Sequence, residues 1–126
     1  MQILVVDDET DVRDLFQQRF RREIRSGEWS FSFAFSGEEA LDFLRQHHSE
    51  VLIILSDINM PGMSGLDLLG HVKEEFEMPP TTMMMITAYG DDDSHRKALA
   101  LGAHDFLSKP VDFAVLKEKL AHLRPA

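Results

Sequence analysis

Five short apolar runs alternate with five stretches of helical periodicity, and this alternation limits the fold more than any single residue does. Ile3–Val6, Val51–Leu55 and Met83–Ile86 have the length of buried strands. Phe31, Phe33 and Phe35 alternate with Ser32 and Ala34 in the period-two pattern of a strand, and His104–Leu107 is a shorter fifth candidate. Between them apolar side chains recur at helical spacing: Val12, Leu15, Phe16, Phe20 and Ile24; then Ala40, Leu41 and Leu44; then Leu66, Leu69, Val72 and Phe76. A weakly amphipathic stretch, Ser94–Leu101, is the fourth helix, and Phe113, Leu116, Leu120 and Leu123 mark the fifth. Parallel strands need crossovers, and a helix is the sterically easy one, so the expected class is α/β: a five-stranded parallel sheet with five helices on its two faces.

Punctuation fits this reading. Ser36-Gly37-Glu38-Glu39 opens the second helix, Gly62 and Gly65 flank the start of the third, and Gly90 and Gly102 bracket the fourth. A chain of 126 residues with 44% hydrophobic side chains suits one core, so residues 1–126 form one expected domain. With no cysteine there is no disulfide framework, thiolate zinc site or cysteine nucleophile, and a reducing cytoplasm is the expected setting. No apolar run approaches the roughly 20 residues of a membrane span, and no basic leader precedes the first strand. A net charge of −9 opposes a phosphate backbone, so neither a membrane nor nucleic acid is an expected partner.

In open α/β sheets ligands sit beyond the carboxyl ends of the strands. Four of the five expected ends there are polar: Asp7, Asp8 and Glu9 after the first strand, Asp57 ending the third, Thr87 the fourth, and Lys109 followed by Pro110 the fifth. Carboxylates crowded at one edge repel by about 4 kcal/mol per pair at 4 Å and an effective dielectric of 20. A cation must offset that. An all-oxygen cluster suits Mg²⁺, and Lys109 adds a fixed positive charge. A carboxylate, a hydroxyl, an ammonium and a metal together fit phosphoryl transfer, with one carboxylate attacking phosphorus to give an acyl phosphate.

The segments VVDDE, SDINMPGMSG, ITAYG and SKP, in this order and spacing, resemble the receiver domain of two-component response regulators, over essentially the whole chain. The resemblance implies a flavodoxin-like sheet in the order 2-1-3-4-5. It implies Asp57 as phosphoacceptor, and Mg²⁺ bound by Asp8, Asp57 and the carbonyl of Asn59, with Asp7 assisting through water. Thr87 and Lys109 would read the phosphoryl oxygens. Tyr89 falls at an aromatic switch position, and Lys109-Pro110 at a peptide bond usually cis in the family. Such a domain takes its phosphoryl group from a histidine kinase or histidine phosphotransfer protein and catalyses only its own aspartyl phosphorylation and dephosphorylation. Its change of shape controls an effector protein, an output domain absent from this sequence, or a phosphorylation-dependent homodimer.

Blander readings compete for individual residues. Asp7 or Asp8 alone could cap the first helix, but capping leaves Asp57, Thr87 and Lys109 unexplained, and Asp11 is the better cap. Asp91-Asp92-Asp93 reads as the cap of the fourth helix, Met83-Met84-Met85 as strand filling, and the six histidines, His47 and His48 among them, as solvated or core-edge groups without metal spacing. The segment from Arg21 to Ser30 is longer than the family pattern, and would hold an extended first helix, a surface contact by Trp29, or, as the favoured reading, Trp29 packed on the edge strand. A magnesium-dependent aspartate phosphatase would show D-x-D where the chain has Asp7-Asp8-Glu9, and a flavin carrier would have a Gly/Ser/Thr-rich first loop. A docking module that works without phosphorylation is the third rival. No effector sequence follows the fifth helix, so a stand-alone regulator and a receiver cut from a longer protein are both open.

Overall fold

The computed structural model describes residues 2–47, 50–76, 82–87 and 92–123. Tyr89, His48, Gly90, Asp91 and the side chain of Leu123, named above, lie outside the described residues. In chain order the elements are β1 Gln2–Val6, α1 Asp11–Arg19, α2 Arg21–Arg25, β2 Ser30–Ala34, α3 Gly37–His47, β3 Val51–Asp57, α4 Gly65–Glu75, β4 Thr82–Thr87, α5 Asp92–Ala100, β5 Asp105–Ser108 and α6 Phe113–Leu123. All five strands are parallel, in the order β2-β1-β3-β4-β5.

Strand alternation divides the core into two layers. Leu4, Val6, Ile54, Met83 and Met85 face α3, α4 and α5 and pack on Leu41, Leu44, Leu68, Leu69, Val72 and Ala98. On the other face Ile3, Val5, Ile53, Leu55, Met84 and Ile86 meet Phe16 and Phe20 from the α1 side and Leu116 and Leu120 of α6. All three methionines of the run are fully buried, as strand filling requires.

The helical stripe from Val12 to Ile24 is not one helix. It breaks at Phe20 (φ −107°, ψ 19°), so six helices stand among the described residues where five were expected. Phe20 is fully buried, its ring 5.8 Å from Phe16 and 4.8 Å from Phe31, while Ile24 beyond the break is 36% exposed. Seating Phe20 in that aromatic cluster takes precedence over helical continuity, and the stripe fails after it. Gly27, at φ 78°, turns the chain back, in the left-handed region where glycine carries no Cβ penalty. Trp29 then closes the core, 4% exposed and in the cluster that lines β1 and the edge strand β2.

The cap of α1 also differs from expectation. Thr10 is the N-cap, without a side-chain cap bond, and Asp11 is the first helical residue, where its charge favours the helix dipole instead. At α3 the Glu39 N–H donates to Ser36 Oγ at 3.0 Å and Glu39 Oε2 accepts from the Phe35 N–H at 2.6 Å. Ser64 and Asp67 form a capping box at α4.

Candidate functional site

Parallel pairing brings the functional candidates to one edge. Val6 pairs with Ser56, Asp57 with Ile86, and Thr87 with Ser108, so β1, β3, β4 and β5 end side by side. The ladder runs one residue further at each step: Asp7 N–H donates to Ala34 O (3.1 Å), Ile58 N–H to Ile86 O (3.1 Å) and Lys109 N–H to Thr87 O (2.9 Å). Asp7, Asp57, Thr87 and Lys109 are therefore held by sheet pairing, not left in a loose loop.

Asp57 is 1% exposed, Asp7 7% and Thr87 5%, whereas Asp8, Glu9 and Asn59 are exposed. Both Asp57 oxygens have partners. Oδ1 accepts from the Asn59 N–H at 3.1 Å, and Oδ2 from Lys109 Nζ at 2.5 Å. Carboxylate oxygens of Asp7, Asp8 and Asp57 lie within 4.8 Å of one another, and among the described residues they are the one cluster of His and acidic side chains close enough to share an ion. No histidine joins them.

Charge at this edge is under strain. Burial, reinforced by the neighbouring Asp57 and Glu9 charges, raises the Asp7 pKa above its ordinary value, although the bond from the Glu9 N–H (2.9 Å) and the Lys109 charge oppose the rise. Burial works to lower the Lys109 pKa, but the hydrogen bond and charge of Asp57, with Asp7 and Glu9 behind it, outweigh burial and raise it. Lys109 thus remains an ammonium, yet one cation faces three clustered carboxylates.

Gly65, read from the sequence as punctuation, and Ser56, given no role there, hold the Asp57 main chain. A Cβ on Gly65 would lie 2.2 Å from Asp57 O and 2.7 Å from Ile58 Cα, so only glycine lets α4 start this close to β3, with the Gly65 N–H donating to Ile58 O at 2.8 Å. Ser56, fully buried, donates from Oγ to Asp57 O at 3.1 Å. MPGMSG held a glycine signal, but nothing in it says which glycine meets backbone. The Lys109–Pro110 peptide bond is cis. Beside the cluster, a cleft of about 710 Å³ runs between α1 and the chain after β5, with Val12, Leu15, Val111 and Phe113 as its apolar wall and Asp7, Glu9 and Lys109 at its polar end.

The profile of the response regulator receiver domain matches residues 3–121. Response regulator protein PilR of Pseudomonas aeruginosa is 38% identical over 121 residues, 94% of this chain but 25% of PilR, so this chain spans about a quarter of that relative. The chemotaxis protein CheY homolog of Campylobacter jejuni is 33% identical over 120 residues, covering 95% of this chain and 89% of that one. Among solved structures, the receiver domain of Ssk1 of Saccharomyces cerevisiae, crystallised with the histidine phosphotransfer signalling protein Ypd1, has a TM-score of 0.83 over 98% of this chain and 88% of the other. At 22% identity that likeness is one of fold. The profile match over almost the whole length, on the same sheet order and strand-end chemistry, makes this chain a receiver domain of the two-component response regulators.

Proposed function

We propose that Asp57 accepts a phosphoryl group from the phosphohistidine of a histidine kinase or histidine phosphotransfer protein. The carrying observation is a carboxylate 1% exposed at a strand end, fixed by Lys109 at 2.5 Å and crowded by two further carboxylates. The donor set fits Mg²⁺, being all hard oxygen, with Asp8 open to water and a surplus of negative charge. Asp7, Asp8 and Asp57, with the carbonyl of Asn59, would hold the ion, which supplies a concentrated positive charge beside the phosphoryl oxygens.

The chain's own residues do the rest. An Asp57 oxygen forms the new P–O bond as the P–N bond of phosphohistidine breaks. Main-chain bonds at the carboxyl end of β3 and the close start of α4 fix its position, so little reorganisation is needed in reaching the transition state. Lys109, freed from its bond to Asp57, and the hydroxyl of Thr87 would take up the phosphoryl oxygens. The apolar wall of Val12, Leu15 and Phe113 beside the site suits a helical phosphodonor, and Leu15 is 41% exposed for it. Ypd1 is a histidine phosphotransfer signalling protein crystallised with the receiver domain of its downstream response regulator Ssk1, and a partner of that chemistry is proposed here. The modified site would then alter the surface of α5, β5 and α6, where an effector protein, an output domain or a second copy docks, with Tyr89 as the aromatic switch. The chain acts as a signalling domain, its only chemistry being its own phosphorylation and dephosphorylation, in the cytoplasm.

The test is labelling with a small acyl-phosphate donor and Mg²⁺, followed by intact mass and hydroxylamine treatment. One labile phosphoryl group is expected on the wild type and none on Asp57→Asn. Equal labelling of the two proteins would defeat the assignment.

A further inference from the structure

The segment that departs from the family pattern builds a basic cleft on an otherwise acidic protein. Between the end of α1, α2 and α6 lies a space of about 770 Å³ whose charged lining is Arg19, Arg21, Arg22, Arg25, Lys117 and a single carboxylate, Glu23. Glu23 is already engaged, pairing with Lys117 at 3.2 Å across the cleft, and among the described residues none of the four arginines has a carboxylate partner. Arg21 and Arg25 stand four apart on α2, and Arg22 and Arg25 three apart, spacings at which like charges repel and weaken a helix. This five-residue helix buries no side chain of its own, and although Arg22 and Arg25 in its last turn favour the helix dipole, Arg21 at its start has no such return. Local chemistry that conflicts with folding marks a binding surface.

We infer that this cleft docks an acidic segment of a protein partner. Guanidinium forks match carboxylates two-pronged, and five cations against one carboxylate define the complementary charge. The alternatives fit less well. A small phosphorylated ligand seeks a concave, mostly apolar pocket that encloses it, whereas this one is open and its walls are the exposed arginines of a surface helix. A nucleic acid carries a charge every few ångströms, so it would run past the cleft onto a chain of net charge −9 and along the acidic start of α1, Asp11 and Asp14. A protein segment can confine its carboxylates to the length of the cleft. The cleft lies away from the phosphoacceptor, although Arg19 also lines the cleft beside Asp7: Ser30, just past α2, pairs with Gln2 at the amino edge of the sheet, opposite Asp57. It does not depend on the function proposed for that edge.

The probe is a short fluorescent oligoglutamate peptide titrated with the full chain at low and at physiological salt. Binding is expected, weakening as salt rises. The triple variant R21E/R22E/R25E should lose roughly tenfold or more in affinity, since three exposed ion contacts of ordinary size amount to about one decade. R96E/K97E on α5 should bind as the wild type does. Trp29, the one tryptophan and a neighbour of α2, reports through its emission whether each variant is folded, and R21Q/R22Q/R25Q serves if the reversal unfolds the segment. Absence of peptide binding at low salt, equal binding by the triple variants, or tighter binding of single-stranded DNA of the same charge would each overturn the inference.

Discussion

Asp7 is the residue whose removal should make the metal-free protein more stable. It is 7% exposed, within 4.8 Å of the Asp57 and Asp8 carboxylates, and its pKa is raised by burial first and by Asp57 and Glu9 after it. One pair of charges at 4.8 Å and an effective dielectric of 20 repels by about 3–4 kcal/mol. The Lys109 charge and the Glu9 N–H offset part of this, so the net penalty of an ionised Asp7 is about 1–2 kcal/mol. Asp7→Asn keeps an oxygen for the Glu9 N–H and removes the charge. At pH 7.5 without Mg²⁺ it should melt roughly 3–8 °C above the wild type. A carboxyl whose folded pKa is raised destabilises the fold fully above that pKa and not at all below the unfolded value, near 3.8. The stability gap should therefore narrow as pH falls toward 3.8. Saturating Mg²⁺ should invert the order, because at about 100 times its dissociation constant it adds about 2.7 kcal/mol to the protein that binds it well. Calorimetry of both proteins across pH, with and without Mg²⁺, measures all three effects. A metal-free Asp7→Asn melting at or below the wild type at pH 7.5 would refute the reasoning.

Three further substitutions probe the supports of the site and the core. Gly65→Ala forces a Cβ to 2.2 Å from Asp57 O and should cost about 1–3 kcal/mol and slow acyl-phosphate labelling; wild-type melting and labelling together would remove the close-approach argument. Phe20→Ala empties the aromatic cluster that breaks α1 and should cost about 3–5 kcal/mol by urea unfolding, whereas a loss under about 1 kcal/mol would mean the break has another cause. Lys109→Ala should destabilise the metal-free protein by about 1–2 kcal/mol at neutral pH, less than a fully buried pair would because its side chain is 38% exposed. Since the folded Lys109 pKa is raised, that contribution persists below 10.5 and is lost as pH climbs through the folded value, and a difference that grew above pH 10.5 would contradict the pairing.

The fold was legible wherever burial sets a period, and obscure wherever burial competes with it. Ile3–Val6 and Met83–Ile86 read as strands because both faces are covered, and their alternate residues divide cleanly between the two core layers. The boundary at Phe20 was not legible, since a ring that leaves its helix to pack against Phe31 and Phe16 leaves the same apolar spacing in the sequence as one that stays. Trp29 shows the reverse case. Packing on the edge strand is the favoured reading from the sequence, and Trp29 is 4% exposed in the cluster that Phe31 and Phe33 of β2 pack against. At the site, the strand-end residues could be picked out because charge after an apolar run is costly unless used. Gly65 and Ser56 could not, because their function is contact with backbone, which no side-chain pattern records.

The way these contacts connect explains how a change at Asp57 can be felt elsewhere. Lys109 Nζ binds Asp57 Oδ2, while its own N–H donates to Thr87 O at 2.9 Å, so the two groups proposed to take up the phosphoryl oxygens share one backbone bond. Thr87 pairs with Ser108 on β5, and β5 leads through Pro110 into α6. Moving either side chain therefore pulls on the same strand pair. Moving a two-state equilibrium from 1:99 to 99:1 takes about 5.5 kcal/mol, and two hydrogen bonds to an ionised phosphoryl group give roughly 3–6 kcal/mol, less the Lys109 bond surrendered at Asp57. These magnitudes are close, so phosphorylation can tip such a switch but cannot overwhelm it, and the unphosphorylated protein should already sample the altered face. Amide exchange with and without a phosphoryl mimic measures this: β5 and α6 should change with Asp57, and silence there with changes confined to α1 and α3 would break the proposed connection.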